Sequence, residues 1–121
     1  MNIKVVKSND ISRVIINEPE TYNSLSFKNL NDLIKVFKKL DDDRKIKVII
    51  LEGAGKGFSA GHNLKEVRNL KSKKKYQRLF DLCSKLMLQI VEGRKPVIAK
   101  VHGAAYAAGC QLVASCDLAY S

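Results

Sequence analysis

The sequence predicts an α/β fold with largely parallel strands, and three observations lead to that class. Short β-branched segments alternate along the chain with longer segments of helical periodicity. Loops rich in glycine or other small residues follow two of the short segments. With 121 residues, of which 45% are hydrophobic and 28% charged, the chain has a globular composition and the length to bury one core.

The amino-terminal part of the chain carries the signals of a hairpin and a helix. Asp10–Ile16 is rich in β-branched residues and ends at a turn-forming Asn-Glu-Pro sequence, so we expect a strand that pairs with Ile3–Val6. Behind Ser26, a suitable N-cap, apolar residues recur every three or four positions up to Leu40. This spacing predicts an amphipathic helix that is ended by three consecutive aspartates.

The rest of the chain alternates between strand and helix signals. Ile46–Leu51 is apolar, β-branched and too short for a helix, which predicts a buried strand. Residues 64–75 are polar and basic without clean periodicity, and no element is predicted there. The further predicted elements are a helix over Tyr76–Val91 ended by Gly93 and Pro96, a strand over Val97–Val101, a short helix over Cys110–Ser115 and a strand over Asp117–Tyr120.

The charge of the chain narrows the classes of partner. The 22 Lys and Arg residues exceed the 12 Asp and Glu residues, which leaves a net charge of +10. Most of the basic residues are lysines, whereas bidentate reading of bases favours arginine. Solvated helix faces are therefore the first explanation, a phosphate-bearing ligand the second, and nucleic-acid binding a distant third. No apolar run approaches the roughly 18 residues of a membrane helix, so no membrane partner is expected.

The three cysteines and two histidines form no recognisable metal or nucleophile motif. Cys83, Cys110 and Cys116 are an odd number without a C-x-x-C pair, so neither a disulfide framework nor a zinc site is predicted. This usage of cysteine indicates a reducing compartment. A nucleophile built from Cys110 with His62 or His102 stays open, but small buried structural side chains are the favoured explanation of the cysteines.

Two loops with small side chains are the strongest indication of a binding site. Phe58–Leu64 follows one predicted buried strand, and His102–Gln111 follows another. Ligands bind at the carboxyl ends of such strands, where small side chains let them approach backbone amides. Two convergent N–H groups would form an oxyanion hole, although close packing of a helix on the sheet explains the same residues equally well. The loop lacks the P-loop pattern, and Gly55–Ala60 matches the dinucleotide fingerprint only weakly.

Four motifs resemble, in order and spacing, those of the enoyl-CoA hydratase/isomerase (crotonase) family: Pro19–Leu25, Lys47–Leu51, Phe58–Glu66 and Pro96–Ala119. The resemblance implies an α/β crotonase-like spiral of strand-strand-helix units, the ClpP/crotonase fold. It covers only the N-terminal half of family members, so residues 1–121 are expected to form the N-terminal part of a crotonase domain, a truncated form of the fold. The Ala108–Leu118 stretch, together with the Gly61-His62 pair, resembles a mitochondrial subgroup and implies that location. Because no transit peptide is visible, a cytoplasmic location is the alternative.

The resemblance also implies a set of site residues. The oxyanion-hole amides fall on His62 and Ala108, whose N–H groups would hold the thioester carbonyl of an acyl-CoA. Tyr22 stands where relatives commonly carry Lys or Arg, so part of the phosphate contact that the resemblance implies stays open. No metal or cofactor is implied, because coenzyme A is part of the substrate. The residues implied to bind the substrate are Ala60, His62, Asn63, Leu64, Lys65 and Ala108, with Lys65 a candidate for the CoA phosphates.

The expected function is acyl-CoA binding in fatty-acid metabolism, with weak or absent hydratase activity. Gln111 stands where the family has the first of two catalytic glutamates, and an amide cannot act as a general acid or base at neutral pH. The second glutamate has no counterpart within residues 1–121. Whether the chain acts as a lyase or isomerase therefore stays open, and the alternative is a non-catalytic partner of full-length relatives. The resemblance also implies a trimer-based homo-oligomer.

Overall fold

The computed structural model describes residues 2–120, in which a five-stranded sheet is combined with four α-helices. A short 3-10 turn, Pro19–Thr21, precedes the first helix. The side chain of Leu64 lies outside the described part of the chain. The elements are β1 (Ile3–Ser8), β2 (Ile11–Ile16), α1 (Phe27–Asp42), β3 (Val48–Gly53), α2 (Leu64–Asn69), α3 (Lys73–Glu92), β4 (Val97–Lys100), α4 (Ala108–Ser115) and β5 (Leu118–Tyr120).

The strands follow their chain order across the sheet, β1-β2-β3-β4-β5. β1 and β2 form an antiparallel hairpin, and every later pair is parallel. The predicted hairpin and the predicted parallel sheet are therefore both confirmed. Because β3 and β4 are parallel neighbours, the two small-residue loops that follow them leave the same edge of the sheet.

One face of the sheet forms the core with α1 and α3. In the register of the sheet, Val14 pairs with Leu51 and Leu51 pairs with Ala99, and all three side chains are fully buried. The two helices pack on each other and place their apolar stripes in the same cluster. The buried helix residues include Leu30, Leu33, Phe37 and Leu40 of α1 and Leu79, Cys83, Leu86 and Ile90 of α3.

The opposite face of the sheet is only partly covered. Side chains alternate between faces along a strand, so Ile11, Leu118 and Tyr120 lie on the side opposite to the core. Their exposed fractions are 39%, 66% and 48%. Arg13 and Glu52 lie on the same face and form an ion pair with a 2.7 Å separation between Nη2 and Oε1.

Helix α2 is the element that periodicity did not predict. It has six residues, too few to show a repeat, and its amino terminus is set by Asn63. The Asn63 Oδ1 accepts hydrogen bonds from the N–H groups of Lys65 and Glu66, at 3.0 and 3.2 Å. The Glu66 carboxylate in turn accepts from the Phe27 N–H at 3.0 Å and ties α2 to the start of α1.

Element boundaries differ from the predicted ones by a few residues. β3 begins at Val48 and runs to Gly53, because pairing with β2 begins at Ile11 opposite Val48. Helix α3 begins three residues early at Lys73, where the Ser72 side chain accepts from the Lys75 N–H. The predicted N-cap of α1 is confirmed, since Ser26 Oγ accepts from the Asn29 N–H at 3.1 Å. Among the helices of residues 2–120, none has the length and apolar character needed to cross a membrane.

Candidate functional site

The two small-residue loops meet at the carboxyl edge of the sheet. Ser59 and Ala105 form a parallel β-bridge. The Phe58 N–H donates to the Ala104 carbonyl at 3.0 Å, and the Tyr106 N–H donates to the Ser59 carbonyl at 3.0 Å. The predicted convergence of the loops is therefore confirmed by backbone hydrogen bonds in both directions.

Glycines at two positions allow this close approach. Gly61 has a φ of +88°, and a Cβ there would lie 3.1 Å from the Ala108 nitrogen. A Cβ at Gly109 would overlap the Ser59 carbonyl oxygen. The loop that carries His62 thus packs directly on the first turn of α4, in a geometry that larger side chains exclude.

The His62 and Ala108 amides are available to a ligand. Among the residues that the structure describes, none accepts a hydrogen bond from either N–H group. Ala108 is the first residue of α4, so its N–H belongs to the first turn, which lacks partners within the helix. Ala107, before it, has φ 48° and ψ −118°, a strained conformation for a residue with a Cβ. Such strain is retained where the surrounding structure requires it, here where the chain turns into α4.

Asn23 and Ser59 hold the first loop in place. Asn23 is fully buried with a φ of 54°, and its Nδ2 lies 2.8 to 3.1 Å from the carbonyl oxygens of Ala54, Gly57 and Phe58. The Ser59 hydroxyl donates to the Asn23 carbonyl at 2.8 Å and accepts from the Gly61 N–H at 3.2 Å. Sequence reasoning used Asn23 only as part of a motif and missed this positioning role.

A cavity of about 400 Å³ lies beside the two amides. His62, Ala108 and Gln111, which the sequence placed in one site, all line it. The α3 side of the cavity was not predicted. It consists of Phe80, Cys83, Ser84 and Met87, which follow one another at the three-to-four-residue spacing of a helix turn. The complete lining is His62, Phe80, Cys83, Ser84, Met87, Ala107, Ala108 and Gln111.

The His62 ring contacts the backbone and a neighbouring aromatic ring. Its Nδ1 lies 3.2 Å from the Leu25 carbonyl oxygen, and its ring packs edge-on against Phe80 with 5.5 Å between the centroids. The His102 Nε2 lies 2.6 Å from the Gly55 carbonyl oxygen. Both rings are thus engaged with the backbone, which agrees with the preference against a cysteine–histidine nucleophile.

Two of the three cysteines, Cys83 and Cys116, have the properties of structural side chains, whereas Cys110 is exposed. Burial raises the pKa of the Cys116 thiol to about 12, and the nearby Asp117 adds to the rise. Burial also raises the pKa of the Cys83 thiol. Both thiols therefore stay protonated at neutral pH. Within residues 2–120, no three His, Cys, Asp or Glu side chains are grouped so that they could bind a metal ion.

A second hollow, of about 340 Å³, lies along the other side of the first loop. We call it the tyrosine groove, because Tyr22 and Tyr106 line it. Ala60, a predicted substrate-binding residue, lies in this groove, and its N–H donates to the Tyr22 carbonyl at 2.9 Å. The remaining lining residues are Lys56, Gly57, Ser59 and Ala104, of which Lys56 was not singled out by the sequence.

The other predicted substrate-binding residues lie on α2. Asn63 is the N-cap of this helix, Leu64 is its first residue, and Lys65 is exposed in its first turn. Neither Asn63 nor Lys65 lines the cavity or the tyrosine groove. The structure thus brings together His62, Ala108 and Gln111, with Ala60 adjacent, and leaves the α2 residues at the side.

The sequence profile of the family described as enoyl-CoA hydratase/isomerase matches residues 6–121. The protein is a member of the enoyl-CoA hydratase/isomerase family. The match covers almost the whole chain, so the family resemblance of the four motifs is confirmed.

Sequence identity to individual relatives supports the assignment to the hydratase/isomerase family. The mitochondrial enoyl-CoA hydratase domain-containing protein 3 of Xenopus laevis is 45% identical over 109 residues, which cover 90% of this chain and 37% of the relative. The human protein of the same name is 41% identical over 109 residues, 90% of this chain and 36% of that protein.

Solved structures of family members confirm the crotonase-like fold. The crystal structure of human enoyl-CoA hydratase domain-containing protein 3 superposes with a TM-score of 0.94 at 38% identity, over 98% of this chain and 47% of that one. The structure of a Mycobacterium smegmatis enoyl-CoA hydratase gives a TM-score of 0.95 at 41% identity, over 98% and 47% of the two chains. This family member therefore spans about half the length of the solved structures that it matches.

Proposed function

We propose that the chain binds acyl-CoA thioesters, with the thioester carbonyl oxygen on the N–H groups of His62 and Ala108. The observation that carries this proposal is the pair of amides without a described hydrogen-bond partner, placed together at the wall of one cavity. Amide N–H groups at such a position stabilise the negative charge that develops on a carbonyl oxygen, by roughly 3 to 4 kcal/mol per donor.

The cavity beside the amides suits the acyl chain. Its α3 side carries Phe80, Cys83 and Met87, which are apolar or weakly polar. The tyrosine groove begins two residues away from each amide, at Ala60 and Tyr106, and offers a path for the coenzyme A portion. Lys56 in that groove and Lys65 on α2 supply positive charge for its phosphates.

The residues at this cavity do not support hydration by the two-glutamate mechanism. Gln111 lines the same cavity as His62 and Ala108, and a side-chain amide neither accepts nor releases a proton at neutral pH. We expect purified protein not to hydrate crotonyl-CoA at ordinary enzyme rates. The assay monitors the absorbance of the conjugated double bond, which is lost on hydration. Hydration at ordinary enzyme rates would refute this expectation.

Calorimetric titration tests the carbonyl contact directly. We compare butyryl-CoA with S-butyl-CoA, a thioether that differs by replacement of the carbonyl with a methylene group. Loss of two hydrogen bonds worth about 1 kcal/mol each predicts binding of the thioether at least tenfold weaker. Equal affinity for the two ligands would contradict a role for the amides, and the absence of binding by either would contradict acyl-CoA recognition itself.

The setting of this activity is proposed from the relatives. The Xenopus laevis and human relatives described above carry a mitochondrial designation in their names, and we propose a mitochondrial role in fatty-acid or acyl-CoA metabolism. Fractionation of cells that express the untagged protein from its own gene checks the location.

A second candidate function is association with full-length relatives, without catalysis. The observation that favours it is the partly uncovered face of the sheet, on which Ile11, Leu118 and Tyr120 are exposed. We propose that such an assembly is trimer-based, as the family resemblance implies. Co-purification with a full-length relative in the absence of any acyl-CoA binding would favour this candidate over the first.

A further inference from the structure

We propose that the corner of the molecule formed by α2 and the start of α3 docks on the surface of an anionic lipid bilayer. Six basic residues lie within positions 68–78, and we call them the basic corner. All six are exposed. The basic corner consists of Arg68, Lys71, Lys73, Lys74, Lys75 and Arg78.

The cations of the basic corner have no acidic partners. Among residues 2–120, none of the six forms an ion pair with a carboxylate. The two carboxylates nearest to them in sequence bind neutral donors instead. Glu66 accepts from the Phe27 N–H at 3.0 Å, and Asp81 accepts from the Gln77 side chain at 2.7 Å. The basic corner therefore presents its positive charge to the solvent.

The stability of α3 does not explain where these cations lie. Lys73, Lys74 and Lys75 occupy the first turn of α3, which contains no acidic residue. The helix dipole disfavours cations in a first turn, and Lys74 and Arg78, four positions apart, repel each other. An array of anions outside the helix would offset both costs, so the arrangement favours an external anionic partner.

Two aromatic residues extend the basic corner along α3. Tyr76 is half-buried, and Phe80 is 49% exposed. Lys73, Tyr76 and Phe80 are three to four positions apart, so they follow one another along one side of the helix. Aromatic side chains beside lysines are typical of surfaces that contact lipid head groups.

The composition of the basic corner favours a lipid surface over a nucleic acid. Four of the six cations are lysines, whereas base reading favours arginine. None of the six lines the cavity or the tyrosine groove, whereas proteins bind a single nucleic-acid strand in a groove. Clusters of about four to eight Lys and Arg residues are typical of proteins that bind anionic lipids. The expectation of no membrane partner rests on the lack of a spanning segment, which a peripheral contact does not need.

Flotation of the full chain with lipid vesicles tests the docking. The vesicles contain phosphatidylcholine with about 30% phosphatidylserine, and vesicles of phosphatidylcholine alone are the neutral comparison. We expect the chain to bind only the anionic vesicles and to be released as the salt concentration rises from about 0.1 M to about 0.5 M. Each Lys or Arg near such a surface contributes a factor of about five to the binding constant. Combined substitution at four positions is therefore expected to weaken binding at least about fiftyfold: Lys71→Gln, Lys73→Gln, Lys74→Gln and Lys75→Gln.

The matched control loses the same charge at the opposite end of the helices. The carboxyl ends of α1 and α3 lie together, because Arg94, just after α3, contacts Asp41 of α1 at 3.3 Å. Helix α3 has 20 residues and is about 30 Å long, which exceeds the Debye length of about 10 Å at 0.1 M salt. We therefore expect the control to bind anionic vesicles as the unmodified chain does. It replaces four exposed lysines of α1 and of the segment before β3: Lys35→Gln, Lys39→Gln, Lys45→Gln and Lys47→Gln.

Circular dichroism verifies that both variants are folded. Equal weakening in the two variants would overturn the proposal, since net charge rather than the basic corner would then attract the vesicles. Equal binding of the unmodified chain to neutral and anionic vesicles would also overturn it. Binding to a single-stranded RNA oligonucleotide without binding to any vesicle would assign the basic corner to nucleic acid and overturn the lipid contact.

Discussion

At the scale of single residues, Asn23 shows how one buried amide organises the candidate site. Its side chain contacts three carbonyl oxygens of the loop after β3, and its Oδ1 accepts from the Glu18 N–H at 2.9 Å. The same loop then presents Gly61 and His62 to the start of α4. A change at Asn23 should therefore affect both stability and ligand binding, although the side chain lines neither the cavity nor the tyrosine groove.

We expect Asn23→Ala to lower the free energy of unfolding by about 3 kcal/mol, because several buried carbonyl groups lose their partner. Ser12→Ala is the matched control. The Ser12 hydroxyl is fully buried on β2 and has no hydrogen-bond partner among the described residues, so its removal should be neutral or stabilising by up to about 1 kcal/mol. Urea unfolding measures both variants, and a similar destabilisation in the two would contradict the role assigned to Asn23.

Gly109→Ala should separate the two loops, since the added methyl group would meet the Ser59 carbonyl and side chain. We expect a stability loss of about 2 kcal/mol and at least tenfold weaker butyryl-CoA binding, because the His62 and Ala108 amides lose their common position. Gly93→Ala, at the end of α3, has its nearest contact at 3.0 Å and lies away from the site. Gly93→Ala therefore serves as the control. If Gly109→Ala bound butyryl-CoA with wild-type affinity, close packing of Gly109 on Ser59 would not be needed to position the two amides.

At the scale of elements, the parallel pairing of β2 with β3 carries an ion pair on its less covered face. The Arg13 Nε and Nη2 donate to the two carboxylate oxygens of Glu52 at 2.9 and 2.7 Å. The hydrogen bonds from Arg13 hold the pKa of Glu52 below its ordinary value, against the opposing effect of burial. Glu52 is buried, with 8% of its surface exposed, so its carboxylate depends on Arg13 to remain charged.

This geometry predicts a pH-dependent contribution to stability. Because the pKa of Glu52 is lower in the folded chain than in the unfolded one, the contribution is complete above about pH 4.3 and is lost as the pH falls through the folded-state pKa. We expect Glu52→Gln to cost about 1 kcal/mol at pH 7 and progressively less below pH 4. Urea unfolding between pH 7 and pH 3 measures the difference.

Asp42→Asn provides the comparison for Glu52→Gln. Asp42 pairs on the surface with Lys38, four residues earlier on α1, and with Arg94, and the three side chains are 52%, 71% and 72% exposed. An exposed i,i+4 pair of this kind contributes about 0.3 to 0.5 kcal/mol. A constant difference between Glu52→Gln and the unmodified chain across the pH range would show that the ion pair does not set the acid sensitivity.

At the scale of the whole molecule, the sheet has one covered face and one that is partly open. Parallel sheets in α/β proteins are normally covered on both faces. The chain covers 47% of the solved human relative. The exposed fractions of Ile11 and Leu118 indicate a surface that is suited to association.

We expect the chain to self-associate as its concentration rises, with burial of this sheet face as the driving force. Leu118→Lys should shift the equilibrium towards the monomer by at least tenfold, because association would bury an unpaired charge at the interface. Leu88→Lys is the control, because it changes a leucine on α3 that is 56% exposed, compared with 66% for Leu118. Sedimentation velocity measures both, and an equal response to the two changes would place the interface elsewhere.

The elements of the fold were largely predictable from local patterns. Three signals are examples: the apolar repeat behind Ser26, the β-branched run before Gly53 and the helix-breaking residues after α3. Each of these signals is carried by residues that are only a few positions apart in the chain. Helix α2 was missed because six residues cannot display a period and because its decisive contact, from the Asn63 side chain, is a cap rather than a repeat.

The candidate site was predictable in its residues but not in its surroundings. By itself, the sequence determined the order of the elements, the family and the grouping of His62, Ala108 and Gln111, because those signals are carried by motifs. Only the tertiary structure decided that α3 forms the wall of the cavity and that Tyr22 and Tyr106 share a groove. These contacts join residues far apart in the chain, and local periodicity and spacing contain no information about which distant side chains meet.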